Sequence, residues 1–407
     1  MYRWGRVDDP PRPPSTNVTK RPRPHAIRPF VAAAAVLAVA MGVGRFAYTP
    51  LLVVMRGDAG LTVAFAGVLA SANLTGYFVG ALIAIHPFAR THRVALIRIG
   101  SILVVVTTAM MALPSAVWFS ARCATGVASG LVFVLTASLL LDLAAEINSR
   151  NGLAVMFSGV GIGIAAAGLL VPLTLPLGGS RAAWIVLAVV SCAALAVALP
   201  MLPKPELSSA TSPTEAARSD DSSHVFGWLA ALYGVEGAAY IVPATFLVAM
   251  VSETPSIARY GAATWILVGA ITAPSTIWWS AAARRWGLSR ALLAACFAQI
   301  VAMLAPLAIG GAAGALTLAV GLGATFIGIS ALGTALGRAL RPANSNGAIA
   351  LLTAVYGVGQ IIGPLIATRI VIVTGSYRLA LPVVAGSLAI ATVAFALRLA
   401  RTPTASE

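Results

Sequence analysis

The sequence predicts an all-α integral membrane protein with twelve transmembrane helices in two pseudo-symmetric six-helix bundles. Hydrophobic residues make up 59% of the 407 residues and charged residues only 10%, whereas soluble domains contain about 25% charged residues. A membrane-spanning helix needs about 20 mostly apolar residues, so this composition is sufficient for about twelve of them. The composition excludes a soluble enzyme, a disordered chain and a disulfide scaffold. The apolar stretches are long and continuous, which also argues against an outer-membrane barrel.

The distribution of apolar residues divides the chain into five regions. A basic, proline-rich tail at 1–26 cannot bury a core and is predicted to be disordered. A polar segment at 203–224 is predicted to be a cytoplasmic linker, and residues 401–407 form a second tail. The regions 27–202 and 225–400 are each 176 residues long and each is predicted to form one bundle. The predicted spans are 29–53, 63–86, 94–113, 115–142, 151–175, 182–202, 226–251, 258–283, 289–310, 312–337, 346–372 and 378–400.

The positive charges predict the orientation in the membrane. If the N-terminus is cytoplasmic, 20 of the 27 Lys and Arg residues lie on the cytoplasmic side and five lie outside, as the positive-inside rule requires. The even number of spans then places both termini in the cytoplasm. The net charge of +15 is therefore interpreted as a topology signal, and no nucleic-acid partner is expected. The expected location is the cell membrane (inner or plasma), as a multi-pass protein in contact with the lipid bilayer.

A repeat between the two halves supports the two-bundle fold. GVGRFAY at 42–48 corresponds to GVEGAAY at 234–240, and a proline follows each segment. GVGIG at 159–163 corresponds to GVGQ at 357–360. Repeats of six helices that start on the same membrane side are typical of transporter halves around a site at the membrane midplane.

These segments, together with those at 66–84 and 122–135, resemble the major facilitator superfamily, and within it the YbfB/YjiJ-type transporters. The likeness covers about 27–400. It implies a secondary active transporter that works by alternating access and is of the efflux type. Arg122 with its following glycines resembles the arginine motif of the fourth helix.

Two charged residues are predicted to lie deep in the membrane. Arg45 lies about 15 residues into the first span, where a charge is costly and normally faces a cavity or a partner. Glu236 is the only acidic residue deep inside any span, and a carboxyl group away from water takes up a proton readily. Glu236 is therefore predicted to couple transport to protons. The alternative is a permanent salt bridge to Arg45 or Arg122, in which case one arginine remains as a surplus positive charge.

The predicted substrate cavity consists of polar and aromatic residues at midplane depth. Alternatives remain open: helix packing for Asn73 and Arg122, and a core or anchoring role for Trp265. Spans 3, 6, 9 and 12 are predicted to face lipid and to carry few polar groups at the midplane. The predicted cavity residues are Arg45, Tyr48, Asn73, Arg122, Tyr233, Tyr240, Trp265, Tyr356 and Gln360.

The predicted gating residues are glycines, a proline and charges at helix ends. The loop at 80–93 and its counterpart at 280–290 keep the glycine and the arginines of the superfamily's loop motif but lack its acidic residue. Helix packing is expected at Gly80 and Gly287, and a solvated charge ladder is the alternative for Asp142 and Arg150. The predicted gating residues are Gly80, Arg90, Arg93, Asp142, Arg150, Gly159, Gly161, Arg284, Arg285, Gly287, Gly363 and Pro364.

Three function classes remain for such a membrane protein. A secondary transporter that acts as a monomer is favoured, with protons as the coupling ion and a small-molecule cargo that carries an anionic group. A neutral sugar or a cationic drug is the alternative cargo. An intramembrane enzyme is disfavoured because the histidines fall in loops, in the tail or at helix edges, and no metal or cofactor site is predicted. A non-transporting receptor or scaffold of the same fold is the remaining alternative. The sequence has no phosphate-binding loop motif for ATP.

Overall fold

The computed structural model describes residues 27–147, 152–203, 220–252, 254–341 and 345–401. Within these residues, twelve helices are long and apolar enough to cross a membrane, as the sequence predicted. The helices are α1 (Arg28–Asp58), α2 (Val63–Ile85), α3 (Arg93–Met110), α4 (Ser115–Ala144), α5 (Gly152–Leu177), α6 (Gly179–Met201), α7 (His224–Ser252), α8 (Ala258–Trp286), α9 (Leu288–Ala308), α10 (Gly311–Leu340), α11 (Gly347–Thr374) and α12 (Tyr377–Arg401).

The regions predicted to be tails and linker fall mostly outside the described residues. The tail at 1–26 and the segment 402–407 lie outside them, as do residues 204–219 of the linker. The helix that contains α7 begins at Asp220, so the last residues of the predicted linker are helical. A short helix, Pro87–Thr91, joins α2 to α3.

Each half packs by the same plan. In the first half, α1 packs on α5, α2 on α4, and α3 on both α4 and α6. In the second half, α7 packs on α11, α8 on α10, and α9 on both α10 and α12. The corresponding helices therefore occupy corresponding places, as expected for two bundles built from one repeat.

The two bundles meet along three helix pairs, α2 with α11, α5 with α8, and α1 with α7. Small residues allow this close approach. A Cβ atom added at Gly161 of α5 would overlap the backbone of Gly269 and Ala273 in α8, and one added at Gly67 of α2 would overlap Thr368 of α11. Gly161, predicted to be a gating residue, therefore lies at the contact between the bundles.

Other predicted gating glycines pack helices within one bundle. A Cβ at Gly80 would overlap the main chain of Val127 in α4, and one at Gly159 would overlap that of Ala34 in α1. Gly363 of α11, which precedes Pro364 inside the same helix, lies against Ala238 of α7. These residues set the spacing of neighbouring helices.

Gly287 does not have the packing role that was expected. It lies in the turn between α8 and α9 with φ of +84°, and an added Cβ would meet nothing within 4 Å. An L-residue with a side chain rarely adopts a positive φ. The turn conformation, and not a helix contact, therefore accounts for this glycine.

The helix α9, which was expected to face lipid and to carry few polar groups at the midplane, carries one buried amide there. Gln299 of α9 is 1% exposed and points into the second bundle, where its amide is hydrogen-bonded to α7 and α10. A buried amide needs such partners because an unpaired polar group in an apolar environment is costly.

Candidate substrate cavity

Arg45 lies in a locally widened part of α1. Residues Ala38–Phe46 form a π-helical segment, a distortion that is frequent at functional sites. The guanidinium group is buried and its Nη2 donates to the hydroxyl oxygen of Tyr240 at 2.7 Å. Its Cζ also lies 4.6 Å from the ring centroid of Tyr77. Arg45 therefore joins the first bundle to α7 of the second.

Arg122 of α4 lies beside the same space and is held by main-chain and aromatic groups. Its Nη1 donates to the carbonyl oxygen of Gly44 at 3.1 Å, and its Cζ lies 4.6 Å from the ring centroid of Tyr48. The side-chain amide of Asn73 donates to the carbonyl oxygen of Arg122 at 3.1 Å. Arg122 and Asn73 therefore hold α1, α2 and α4 together, as in the packing alternative, and their role in binding cargo stays a prediction.

A small cavity lies between the bundles at these arginines. Its volume is about 20 Å³, which is space for about one water molecule and far less than the roughly 300 Å³ of a pocket for an organic ligand. The bundles must move apart to admit cargo. The described residues that line it supply two guanidinium groups and no acidic group. They are Arg45, Phe46, Tyr48, Thr49, Ala70, Asn73, Leu74, Arg122, Ile241, Ala244 and Thr245.

Aromatic rings of the second bundle form a wall behind the cavity. The ring of Tyr240 stacks on Phe326 and Tyr356, with centroids 5.6 and 5.4 Å apart, and Tyr356 contacts Tyr233 at 4.6 Å. The hydroxyl oxygen of Tyr240 also accepts from Nε2 of Gln360 at 2.9 Å. These predicted cavity residues are therefore close together, one layer behind the lining.

Trp265 extends this aromatic wall at α8. It is 1% exposed, and its ring centroid lies 6.4 Å from that of Phe46. Trp265 is thus part of the contact between the bundles, in agreement with the core position that was weighed for it.

Glu236 lies apart from the cavity, inside the second bundle. It is 0% exposed, and both carboxylate oxygens accept from Nε2 of Gln299 at 2.8 Å. Oε1 of Gln299 in turn accepts from the hydroxyl of Thr325 in α10 at 2.8 Å. Among the described residues, neither Arg45 nor Arg122 pairs with Glu236, so the salt-bridge alternative is wrong in this conformation. Its carboxylate faces α9 and α10, away from the bundle contact.

The charged gating residues are only partly brought together. Arg93 donates from Nη1 to Oδ2 of Asp142 at 2.5 Å, so α4 supplies the acidic group that the loop motif lacks. Arg284 and Arg285 are exposed at the end of α8. Arg150 and the side chain of Arg90 lie outside the described part of the structure.

Sequence reasoning missed the partners of Glu236. Gln299 and Thr325 were not among the predicted site residues, although Gln299 is a lone amide in the middle of an apolar span. A search for hydrogen-bond partners of the buried carboxylate would have singled it out. Thr49, whose hydroxyl donates to the carbonyl oxygen of Ala244 across the bundle contact at 2.6 Å, was not among the predicted cavity residues either.

Residues 37–396 match the family described as "Uncharacterised MFS-type transporter YbfB". The chain belongs to this family of the major facilitator superfamily and is a multi-pass membrane protein and a secondary transporter. The matching family is one of transporters and not of enzymes, as the sequence indicated. No curated protein matches the sequence.

Solved structures of transporters share the fold. A mutant of the nucleoside transporter NupG gives a TM-score of 0.68 at 15% identity, over 91% of this chain and 99% of that chain. An auto-inhibited peptide transporter of the POT family gives 0.67 at 13% identity, over 94% and 98%. The POT family transporter PepTSo gives 0.67 at 14% identity, over 93% and 98%. The likeness to these structures shows the twelve-helix transporter fold.

Proposed function

We propose that this transporter moves a small organic anion across the cell membrane by alternating access, coupled to protons through Glu236 and in the direction of export. One observation carries the choice of cargo: Arg45 and Arg122 both line the cavity, and no acidic residue in the described part of the chain does. The proposal places both termini in the cytoplasm, following the distribution of Lys and Arg.

The charge balance at the cavity is more positive than the sequence suggested. One surplus positive charge was expected because Glu236 was to pair with an arginine. In the structure Glu236 is bound by Gln299 instead, so neither arginine has a carboxylate partner among the described residues. Arginine stays protonated in proteins, and a buried charge without a counter-charge is costly. An anionic cargo offsets this cost, whereas a cationic cargo adds to it.

The position of Glu236 supports a proton site separate from the cargo site. Both oxygens of the Glu236 carboxylate accept hydrogen bonds from the amide group of Gln299. A proton bound to either oxygen turns that oxygen from an acceptor into a donor. That change alters how α7 is held against α9. Tyr240, one helical turn further along α7, receives the hydrogen bond from Arg45. A shift of α7 is therefore transmitted to the cavity through this hydrogen bond.

Hydrogen bonds between the two bundles hold them together around the cavity. The hydroxyl of Ser71 donates to the carbonyl oxygen of Ile361 at 3.3 Å. Near the end of α1, Nη1 of Arg56 donates to the hydroxyl of Tyr377 at 3.4 Å, where α12 begins. Under the proposed orientation the end of α1 is extracellular. Opening of the cavity to that side requires these hydrogen bonds to break.

The test begins with a thermal-stability screen of the purified protein against small organic anions, organic cations and neutral sugars. A ligand that binds the native state raises the melting temperature. Anions are expected to stabilise the protein and cations are not. The best anion is then tested in inside-out vesicles, where an acidic interior should drive its accumulation. Stabilisation by cations alone, or accumulation that ignores the pH gradient, contradicts the proposal.

A further inference from the structure

We propose that the cargo carries a hydroxyl group beside its anionic group, so that its class is the hydroxylated organic acids. This inference rests on the proposed function and narrows it. It arises from two buried polar atoms at the cavity, one donor and one acceptor, that are left without partners.

The donor is Nε of Arg45 and the acceptor is Oδ1 of Asn73. Neither has a hydrogen-bond partner among the described residues. The two residues are 5% and 1% exposed, and both line the cavity. Buried polar groups are almost always hydrogen-bonded, and leaving one unpaired is costly. A molecule in the cavity is therefore expected to pair with both.

The orientation of the Asn73 amide follows from its other hydrogen bond. Its Nδ2 donates to the carbonyl oxygen of Arg122 at 3.1 Å. If the amide were turned by 180°, Oδ1 would face that carbonyl oxygen, and two acceptors would meet without a proton between them. The free atom of Asn73 is thus an acceptor and requires a donor from the ligand.

Only some chemical groups satisfy both atoms. A carboxylate accepts from Arg45 but cannot donate to Asn73. An ammonium group donates to Asn73, but it would lie beside two guanidinium groups in a lining without an acidic residue, where like charges repel. A hydroxyl group donates, accepts and carries no charge. A water molecule has the same properties, and the cavity has room for about one. The hydroxyl of the cargo is therefore inferred to replace a water molecule, while its carboxylate offsets the arginines.

The experiment compares three matched probes on the purified full-length protein: propanoate, 2-hydroxypropanoate and alanine. Affinities are measured by thermal stabilisation and by quenching of tryptophan fluorescence. The hydroxy acid is expected to bind about 5- to 10-fold more tightly than propanoate, the effect of one net hydrogen bond. Alanine is expected to bind most weakly of the three.

Two variants assign the effect to Asn73. Asn73→Ala is expected to remove the preference for the hydroxy acid but to keep binding of propanoate. Thr75→Val is the matched control, because Thr75 lies two residues further along the same helix but is exposed and is not part of the lining; it is expected to keep the preference. The comparison of probes on the unmodified protein needs no variant and stands if Asn73→Ala does not fold.

The outcomes separate this inference from the proposed function. Equal binding of propanoate and 2-hydroxypropanoate overturns the hydroxyl inference and leaves an anionic cargo in place. A preference that survives in Asn73→Ala overturns the role given to Asn73. Absence of binding by every organic anion, in this series and in the screen above, overturns the proposed function together with the inference.

Discussion

The two halves repeat the same segment but place their buried charges on different faces. In the aligned segments 42–48 and 234–240, Arg45 corresponds to Gly237 and Glu236 corresponds to Gly44. One residue along a helix is a rotation of about 100°. A Cβ at Gly44 would point to α3 and α4, and Glu236 correspondingly faces α9 and α10. The repeat thus gives a cationic cavity between the bundles and a separate carboxylate inside one of them.

Proximity along a helix does not make two groups one site. Tyr240 and Glu236 are separated by about one turn of α7, yet the first contacts Arg45 and the second contacts Gln299. Changes at the cavity are therefore expected to alter cargo binding, and changes at the carboxylate are expected to alter coupling.

The largest effect is expected from Glu236→Gln, which keeps the shape of the side chain and removes its titration. Accumulation of cargo driven by a pH gradient should be lost, while exchange of cargo between the two sides at equal concentration should continue. Flux in inside-out vesicles measures both. The control is Thr317→Val, which changes an exposed side chain of α10 and should leave both accumulation and exchange unchanged. Normal accumulation by Glu236→Gln would disprove the coupling role.

The second-largest effect, on the affinity for organic anions, is expected from Arg45→Gln. Loss of a charge-assisted hydrogen bond to an anion costs about 1.5–3 kcal/mol, or roughly 10- to 150-fold in affinity. Binding of organic anions, followed by thermal stabilisation, should weaken accordingly. The same substitution at the exposed Arg259 should leave the affinity unchanged, and equal weakening by both variants would argue against a specific site.

An intermediate effect on stability is expected from Gln299→Leu. This variant leaves the carboxylate of Glu236 buried without its partner, which should lower the free energy of unfolding by about 1–3 kcal/mol. Chemical denaturation in detergent measures it. Because Gln299 does not line the cavity, anion affinity should stay near normal. A combined change of Glu236 and Gln299 to leucine should recover most of the stability; no recovery would show that the two side chains do not act as a pair.

The smallest effect is expected from Asp142→Asn. The carboxylate side chain of Asp142 is 59% exposed and that of its partner Arg93 is 21% exposed, and exposed ion pairs contribute about 0–1 kcal/mol. The free energy of unfolding and the anion affinity should change little, as with Glu146→Gln at a nearby exposed position. A large loss of transport with normal stability would instead assign this pair to the gate.

Hydropathy along the chain was sufficient to predict the number of spans, their approximate positions and the depth of Arg45, Arg122 and Glu236 in the membrane. The reason is that hydrocarbon requires about 20 apolar residues in each helix and makes buried charges rare. The repeat and the resemblance also identified the fold and the transporter family.

Which side of each helix faces a partner follows only from the packing of the helices in the folded protein. In a membrane the surface toward lipid is as apolar as the surface toward another helix, so hydrophobic periodicity does not reveal the inward side of α7 or α9. The pairing of Glu236 with Gln299, the separation of the carboxylate from the arginines and the unpaired atoms of Arg45 and Asn73 all depend on that rotation. They became visible once the helices were packed against one another.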